Sequence, residues 1–166
     1  MNFLAHLQLA APESEMMMGG FIADGTKTNQ LSELPAGWAR GVHLHWEIDR
    51  FTDAHPKIAD AIGIFREQQQ KYAGVVVDIV MDHFLAANWS RFSTKELAFF
   101  AKEFYDLANA NNRFLQKKHQ RLLHYMQRDN WLVGYGELSG LQQAMSGISQ
   151  RAAFNNNMHL AVDTVR

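Results

Sequence analysis

The sequence predicts an all-α fold, a single-domain helical bundle over residues 1–166, and three observations carry that expectation. Apolar residues recur at helical rather than alternating spacing in one segment after another. The three prolines, Pro12, Pro35 and Pro56, all stand near plausible helix starts, where a missing amide is tolerated. The most apolar stretch, Gly74 to Phe92, is longer than a strand usually runs and carries polar residues four apart.

The elements follow in order. Met1 to Ala10 is short and mostly apolar, with His6 in its middle. Ser14 is expected to cap a helix running through Met16 to Asp24, and the polar stretch Gly25 to Leu34 reads as a loop. From Pro35 to about Asp53, Trp38, Val42, Trp46 (or His45) and Ile48 recur at helical spacing. His55-Pro56 ends that helix, because the residue before proline avoids helical angles. Pro56 then opens another, Ile58 to Gln70, with Ile58, Ile62 and Phe65 on one face. In Gly74 to Phe92 the valine-rich start has strand propensity, but length and polar spacing favour a buried helix. Ser93 and Glu96 resemble a capping box ahead of Leu97, Phe100, Ala101, Phe104 and Leu107. Helices are expected over Arg113 to Gln127 and Leu138 to Gln150, with Trp131 to Tyr135 as an aromatic connector. The tail from Ala152 is weakly patterned, and Asn155-Asn156-Asn157 suggests a loop or cap.

Composition narrows the function. Hydrophobic residues make up 47% and charged residues 20%, values of an ordinary globular chain. A formal net charge of −1 provides no global field toward nucleic acid or an anionic membrane. With no cysteine, a disulfide scaffold, a thiolate zinc site, an iron–sulfur cluster and a cysteine nucleophile are excluded. No apolar run approaches a bilayer span, and the N-terminus lacks a signal-peptide pattern, so a cytoplasmic location is expected.

Eight histidines remain, five of them before residue 84 and close to aspartates. Asp78 and Asp82 lie one helical turn apart, with His83 about 100° round from Asp82. A buried carboxylate needs a cation, an arginine or water, so this run is either a metal site or the polar face of a buried helix. His45, Asp49 and Asp53 form a second stripe at spacing four, with His43, Glu47 and Arg50 beside it. This segment is either a source of ligands and their orienters or a solvated amphipathic face. Asp24 follows an apolar run and precedes Gly25, which permits close backbone approach; otherwise it simply ends a helix. His6 alone reads as a core histidine. Histidines and aspartates from several helices are how helical scaffolds build metal sites, and such ligands suit Mn²⁺, Mg²⁺, Fe²⁺ or Zn²⁺. A metal held this way would activate water and stabilise charge on a phosphoryl oxygen. No P-loop, dinucleotide fingerprint, serine elbow, kinase signature or His-Glu-x-x-His motif offers a competing chemistry.

Asn2-Phe3-Leu4-Ala5-His6-Leu7, Gly20-Phe21-Ile22-Ala23-Asp24, Gly41-Val42-His43-Leu44-His45 with Ile48-Asp49-x-x-Thr52-Asp53, and Asp78-x-x-x-Asp82-His83-Phe84-Leu85 resemble the acyl carrier protein phosphodiesterases. Asn130-Trp131-Leu132-Val133-x-Tyr135 fits the same pattern. The resemblance runs in order along nearly the whole chain, is looser in the second half, and meets a chain somewhat shorter than the family pattern. It implies an HD-domain-like helical fold, a divergent branch of the HD phosphohydrolases, and a divalent metal with manganese foremost. The implied reaction releases 4′-phosphopantetheine from holo acyl carrier protein to leave the apo form. The implied ligands are Asp24, His43 or His45, Asp82 and His83. Asp49 or Asp78 would orient water or an imidazole, His6 would support or shuttle protons, and Arg50 would either neutralise a phosphate oxygen or form a surface ion pair with Glu47 or Asp53.

Acyl carrier proteins are acidic, so Arg113, Lys117, Lys118 and Arg121, with Arg128 beyond, are the expected docking residues. On one continuous helix Arg113, Lys117 and Arg121 would share a stripe, although a charge run also serves as a plain solvated face. No nucleic-acid or membrane partner is expected, and the oligomeric state is open, a homodimer included. Two further readings stand beside this one: a related phosphohydrolase acting on a nucleotide or other small phosphate ester, and a non-catalytic helical partner-binding module.

Overall fold

The computed structural model describes residues 3–151 and 156–165, and among them there is no β-strand. The elements in chain order are α1 (Phe3–Ala10), α2 (Ser14–Ile22), α3 (Ala36–Asp53), α4 (Pro56–Gln69) and α5 (Ala73–Ala87). They continue as α6 (Leu97–Ala110), α7 (Lys117–Arg128), α8 (Trp131–Gly134), α9 (Leu138–Arg151) and α10 (Val162–Val165), with short 3₁₀ turns between several of them. Among the described residues no helix is long and apolar enough to cross a membrane.

The all-α expectation holds, and the element positions depart from it in instructive places. Pro56 opens α4, as the His-Pro step suggested, and His55 caps it by accepting from the Lys57 amide at 3.1 Å. Ser14 is the first residue of α2 rather than its cap, and Gly25 to Leu34 contains a 3₁₀ segment, Thr28–Glu33. The valine-rich start of α5 is helical because Val76, Val77, Ile79 and Val80 are all buried against neighbouring helices. The Ser93–Glu96 capping box does not form. Ser93 Oγ accepts from the Lys95 amide instead, and α6 starts after Glu96. The expected Arg113–Gln127 helix is broken: Asn112–Phe114 is a 3₁₀ turn, and Leu115 and Gln116 are extended before α7. Arg113 therefore leaves the Lys117–Arg121 stripe and lies over the Phe114 ring, 4.5 Å from its centroid.

One apolar cluster runs from Phe3, Leu4 and Leu7 through Phe21, Val42, Ile79 and Phe104 to Leu132, Met145 and Val162. Two contacts place the helices that matter for function. The first is between α2 and α3, which touch backbone to backbone. A Cβ on Gly19 would lie 2.1 Å from the Trp38 carbonyl oxygen, and one on Gly41 would lie 2.2 Å from that of Met16. Only glycine at both positions permits so close a crossing. The second joins α1 to α5. The Asp82 carboxylate, fully buried, accepts from the Leu4 amide at 2.9 Å and the Ala5 amide at 3.0 Å. Those amides are among the donors that a helix start leaves unsatisfied, so Asp82 caps α1 from a distant part of the chain.

The glycine contact has a direct test in urea unfolding. Gly41→Ala should destabilise by about 1–3 kcal/mol through overpacking against Met16. Gly63→Ala, on α4 with nothing within 4 Å of the new methyl, should be neutral or stabilise by up to about 1 kcal/mol. Equal effects at the two sites would contradict the close α2–α3 crossing.

Candidate metal centre

Three elements deliver the polar residues. His6 comes from the buried face of α1, where it is 3% exposed between Leu4 and Leu7. His45 and Asp49 come from one stripe of α3, one and two turns beyond Gly41. Asp24 comes from the 3₁₀ turn Ala23–Gly25 that ends α2.

The imidazoles of His6 and His45 stack, with centroids 3.7 Å apart and planes 16° from parallel. Asp49 faces both: Oδ1 lies 3.0 Å from His6 Nε2 and Oδ2 lies 3.2 Å from His45 Nε2. Asp24 Oδ1 lies 3.1 Å from the same His45 nitrogen. One donor atom from each of His6, His45 and Asp49 fits within a span of 4.8 Å, the single such grouping among the described residues. The His6–Asp49 contact is short without hydrogen-bond alignment, and neither His6 ring nitrogen has a hydrogen-bond partner among the described residues. Buried imidazole nitrogens without partners are costly, and nitrogen and oxygen atoms aimed at a common point are what a divalent cation requires. The residues fit a metal.

The electrostatics agree. Burial pulls the His45 imidazole down, but hydrogen bonds to Asp24 and Asp49 outweigh it and raise the group to about 9. Burial raises Asp49, and the imidazoles of His45 and His6 beside it more than reverse this, holding the carboxyl well below the usual range. The hydrogen bond to His45 lowers Asp24 against its own burial. Without metal, a proton on His45 thus supplies the positive charge between two ionised carboxylates.

The triad selects among the residues that the sequence nominated. His45 is in it, and His6 and Asp49 are themselves members rather than supports. Asp24 adjoins it through His45. His43 is not part of it: one residue from His45 it points elsewhere, exposed, its ring edge-on to Trp46 at 5.6 Å. Asp82 and His83, expected to lead the ligand set, also lie outside it. Asp82 is committed to the α1 amides, and burial pushes its carboxyl up to about 7 against their pull. His83 Nδ1 bonds the Tyr135 carbonyl at 2.7 Å, tying α5 to the turn after α8. Asp78 is half-buried on α5, one turn before Asp82, and outside the grouping. Arg50 pairs with Glu47 on the exposed face of α3.

One nearby residue escaped the sequence reading. His119 is 6% exposed on the buried stripe of α7 with Leu123 and Met126. Burial and the adjacent Lys118 push its ring down to about 4, although Asp24 opposes them. Its signal was present as a lone histidine in an apolar register. Lys118 Nζ donates to the Gly25 carbonyl at 2.8 Å, so the start of α7 is bound to the Asp24 turn.

The chain was compared with known proteins. The family model described as "Acyl carrier protein phosphodiesterase" matches residues 1–166. An acyl carrier protein phosphodiesterase of Photorhabdus laumondii is 30% identical over 152 residues, covering 91% of this chain and 77% of the relative. One of Escherichia coli O6:H1 is 31% identical over 157 residues, covering 91% of this chain and 79% of the relative. No solved structure matches. A whole-chain family match and relatives of this similarity lead to one conclusion: the chain belongs to the acyl carrier protein phosphodiesterase family.

Proposed function

We propose that this protein hydrolyses the phosphodiester joining 4′-phosphopantetheine to acyl carrier protein, using a divalent cation held by His6, His45 and Asp49. The observation that carries the metal is the convergence of two buried imidazoles and a carboxylate from two helices, with neither His6 nitrogen hydrogen-bonded among the described residues. The observation that carries the substrate is membership of the family. When bound, the cation supplies water activation and charge neutralisation at the phosphoryl group. Manganese is our choice of metal, oxygen and imidazole ligands being common to its sites. The histidine and aspartate set on helices also supports placing the family with the HD phosphohydrolases, and the substrate implies a cytoplasmic setting.

The protein's own groups divide the remaining work. Asp49 spans the two imidazoles and fixes their rings relative to each other. Asp24, about half exposed and held beside His45, is the group placed to take a proton from the attacking water. Lys118, bound to the carbonyl next to Asp24, brings a fixed cation to the turn that carries it, whereas Arg50 pairs with Glu47 on the exposed face of α3. Lys117 and Arg121, exposed one turn apart on the same helix, extend that charge outward toward an acidic carrier protein.

Three outcomes follow. Chelation, His45→Asn or Asp49→Asn should each lower release of phosphopantetheine from holo acyl carrier protein by roughly 100-fold or more, while His43→Ala stays near wild type; intact-protein mass spectrometry reads the loss. Full activity of His45→Asn would remove the triad from the chemistry. Metal affinity should depend on pH with a definite sign. His45 titrates at about 9 without metal, so binding at neutral pH must expel its proton. Affinity should therefore rise about tenfold per pH unit up to about 9 and then level, as measured by calorimetric titration. A flat profile between neutral pH and 8.5 would contradict the His45 assignment. Finally, the paired change Lys117→Glu and Arg121→Glu should raise KM for holo acyl carrier protein and spare a small diester such as bis(p-nitrophenyl) phosphate. Equal loss on both substrates would remove the docking role.

A further inference from the structure

Between Asp106 and Asp129 the chain carries five lysines and arginines and no acidic residue, although its net charge is −1 overall. Arg113, Lys117, Lys118 and Arg121 of this stretch are all exposed. Lys118 is engaged with the Gly25 carbonyl, while Arg113, Lys117 and Arg121 have no carboxylate partner among the described residues. Other exposed cations are paired, as Arg40 is with Glu13 and Lys102 with Asp106. A cluster of cations without carboxylates keeps its charge for a partner.

Phe114 stands within this cluster and is 62% exposed. A lone exposed apolar residue is ordinary, but the backbone holds this one in position. The Phe114 amide donates to the Asn111 carbonyl at 2.9 Å. Gln120 Nε2 donates to the carbonyls of Asn112 at 2.8 Å and Leu115 at 3.1 Å, and the Leu115 side chain is buried. The break that ends the Lys117–Arg121 stripe therefore also turns a phenyl ring outward. The Arg113 guanidinium covers that ring, 4.5 Å from its centroid. A guanidinium over a ring keeps N–H donors at its edge, so the pair offers apolar surface and a carboxylate-binding group together. Two other exposed phenylalanines stand beside neutralised charge. Arg50 next to Phe51 pairs with Glu47, and Lys95 over the Phe99 ring pairs with Glu103. The Phe114 patch also touches the turn of the candidate metal centre. Lys118 Nζ donates to the Gly25 carbonyl at 2.8 Å, and a Cβ on Gly25 would collide with that nitrogen. Asp24, the residue before, reaches His45 at 3.1 Å.

We propose that Phe114 is the apolar anchor of the surface that receives the carrier protein. Its ring packs on an apolar side chain of the acidic partner, while Arg113, Lys117 and Arg121 pair with the carboxylates around it. The proposal rests on the phosphodiester reading above for the identity of that partner. Aromatic and arginine side chains dominate binding at interfaces, and a ring on a fixed backbone loses little freedom when it docks. Charge alone would accept any acidic surface; the ring adds the demand for an apolar residue among the carboxylates. A second copy of the chain fits less well, because the same patch on two copies would set like charges against each other.

Apo acyl carrier protein has the docking surface but no arm to cleave, so NMR titration of the isotope-labelled apo form reads binding apart from catalysis. Phe114→Ala should bind it about tenfold more weakly and raise KM for the holo form by a similar factor. The Tm and the hydrolysis of bis(p-nitrophenyl) phosphate should be unchanged. Phe114→Leu, which stays apolar, should remain within about threefold of wild type. Added salt should weaken wild type and Phe114→Ala by the same factor, since the ring carries no charge. Wild type that does not bind the apo form, or Phe114→Ala that binds it as wild type does, overturns the proposal. So does equal loss of Phe114→Ala activity on holo acyl carrier protein and the small diester, or a wild-type dimer in sedimentation that Phe114→Ala dissolves. If wild type binds through Phe114 but leaves the holo form intact, the docking assignment stands and the phosphodiester reading fails. If the holo form is processed and Phe114→Ala keeps the wild-type KM, the reading stands and the docking assignment fails.

Discussion

The buried carboxylate of Asp82 holds the start of α1 in place, and the candidate metal centre depends on that grip. An eight-residue helix has little stability of its own and must be positioned by tertiary contacts. Asp82 supplies one with direction as well as strength, since both of its oxygens are used by consecutive amides of the first turn. His6 follows immediately on α1, so the depth and rotation of its imidazole are set from α5. The glycine contact between α2 and α3 does the same for the other half of the site. It brings the end of α2, and hence Asp24, within hydrogen-bonding distance of His45 on α3. Neither anchor contains a residue of the triad, yet each fixes one side of it.

The charges at the site form a consistent balance. Two carboxylates converge on one imidazole nitrogen, an arrangement whose repulsion needs a positive partner. A proton on His45 fills that need in the metal-free protein, and a divalent cation would fill it more completely, with the stacked His6 nitrogen as a further donor. Asp24 and Asp49 both remain about half exposed, so the site is open to solvent on the carboxylate side. On its far edge, α7 contributes one cation bonded to the Asp24 turn and others farther out, alongside a buried neutral histidine.

Much was readable from the chain alone, and for a reason that can be stated residue by residue. Helices α3, α4, α6 and α9 follow from apolar spacing, and α4 also from the His55-Pro56 step, because backbone periodicity and capping are decided within a few residues. The His45–Asp49 pair was legible for the same reason, as one turn on one helix. The breaks were less legible. The extended step at Leu115 and Gln116 and the failed capping box at Ser93 depend on what the neighbouring side chains pack against, beyond any local preference.

The sequence by itself determined the all-α class, the absence of thiolate chemistry, the family, and the fact that a buried aspartate on α5 must have a partner. Only the tertiary structure decided what that partner is. Asp82 meets backbone amides 77 and 78 residues away, and amides carry no identity in a sequence, so a structural cap looked like a leading ligand. Folding likewise turned His45 inward and His43 outward, promoted His6 into the centre and left His83 on a carbonyl. Spacing along a helix states which residues share a face; which faces meet is settled by close packing between helices that are distant in the chain.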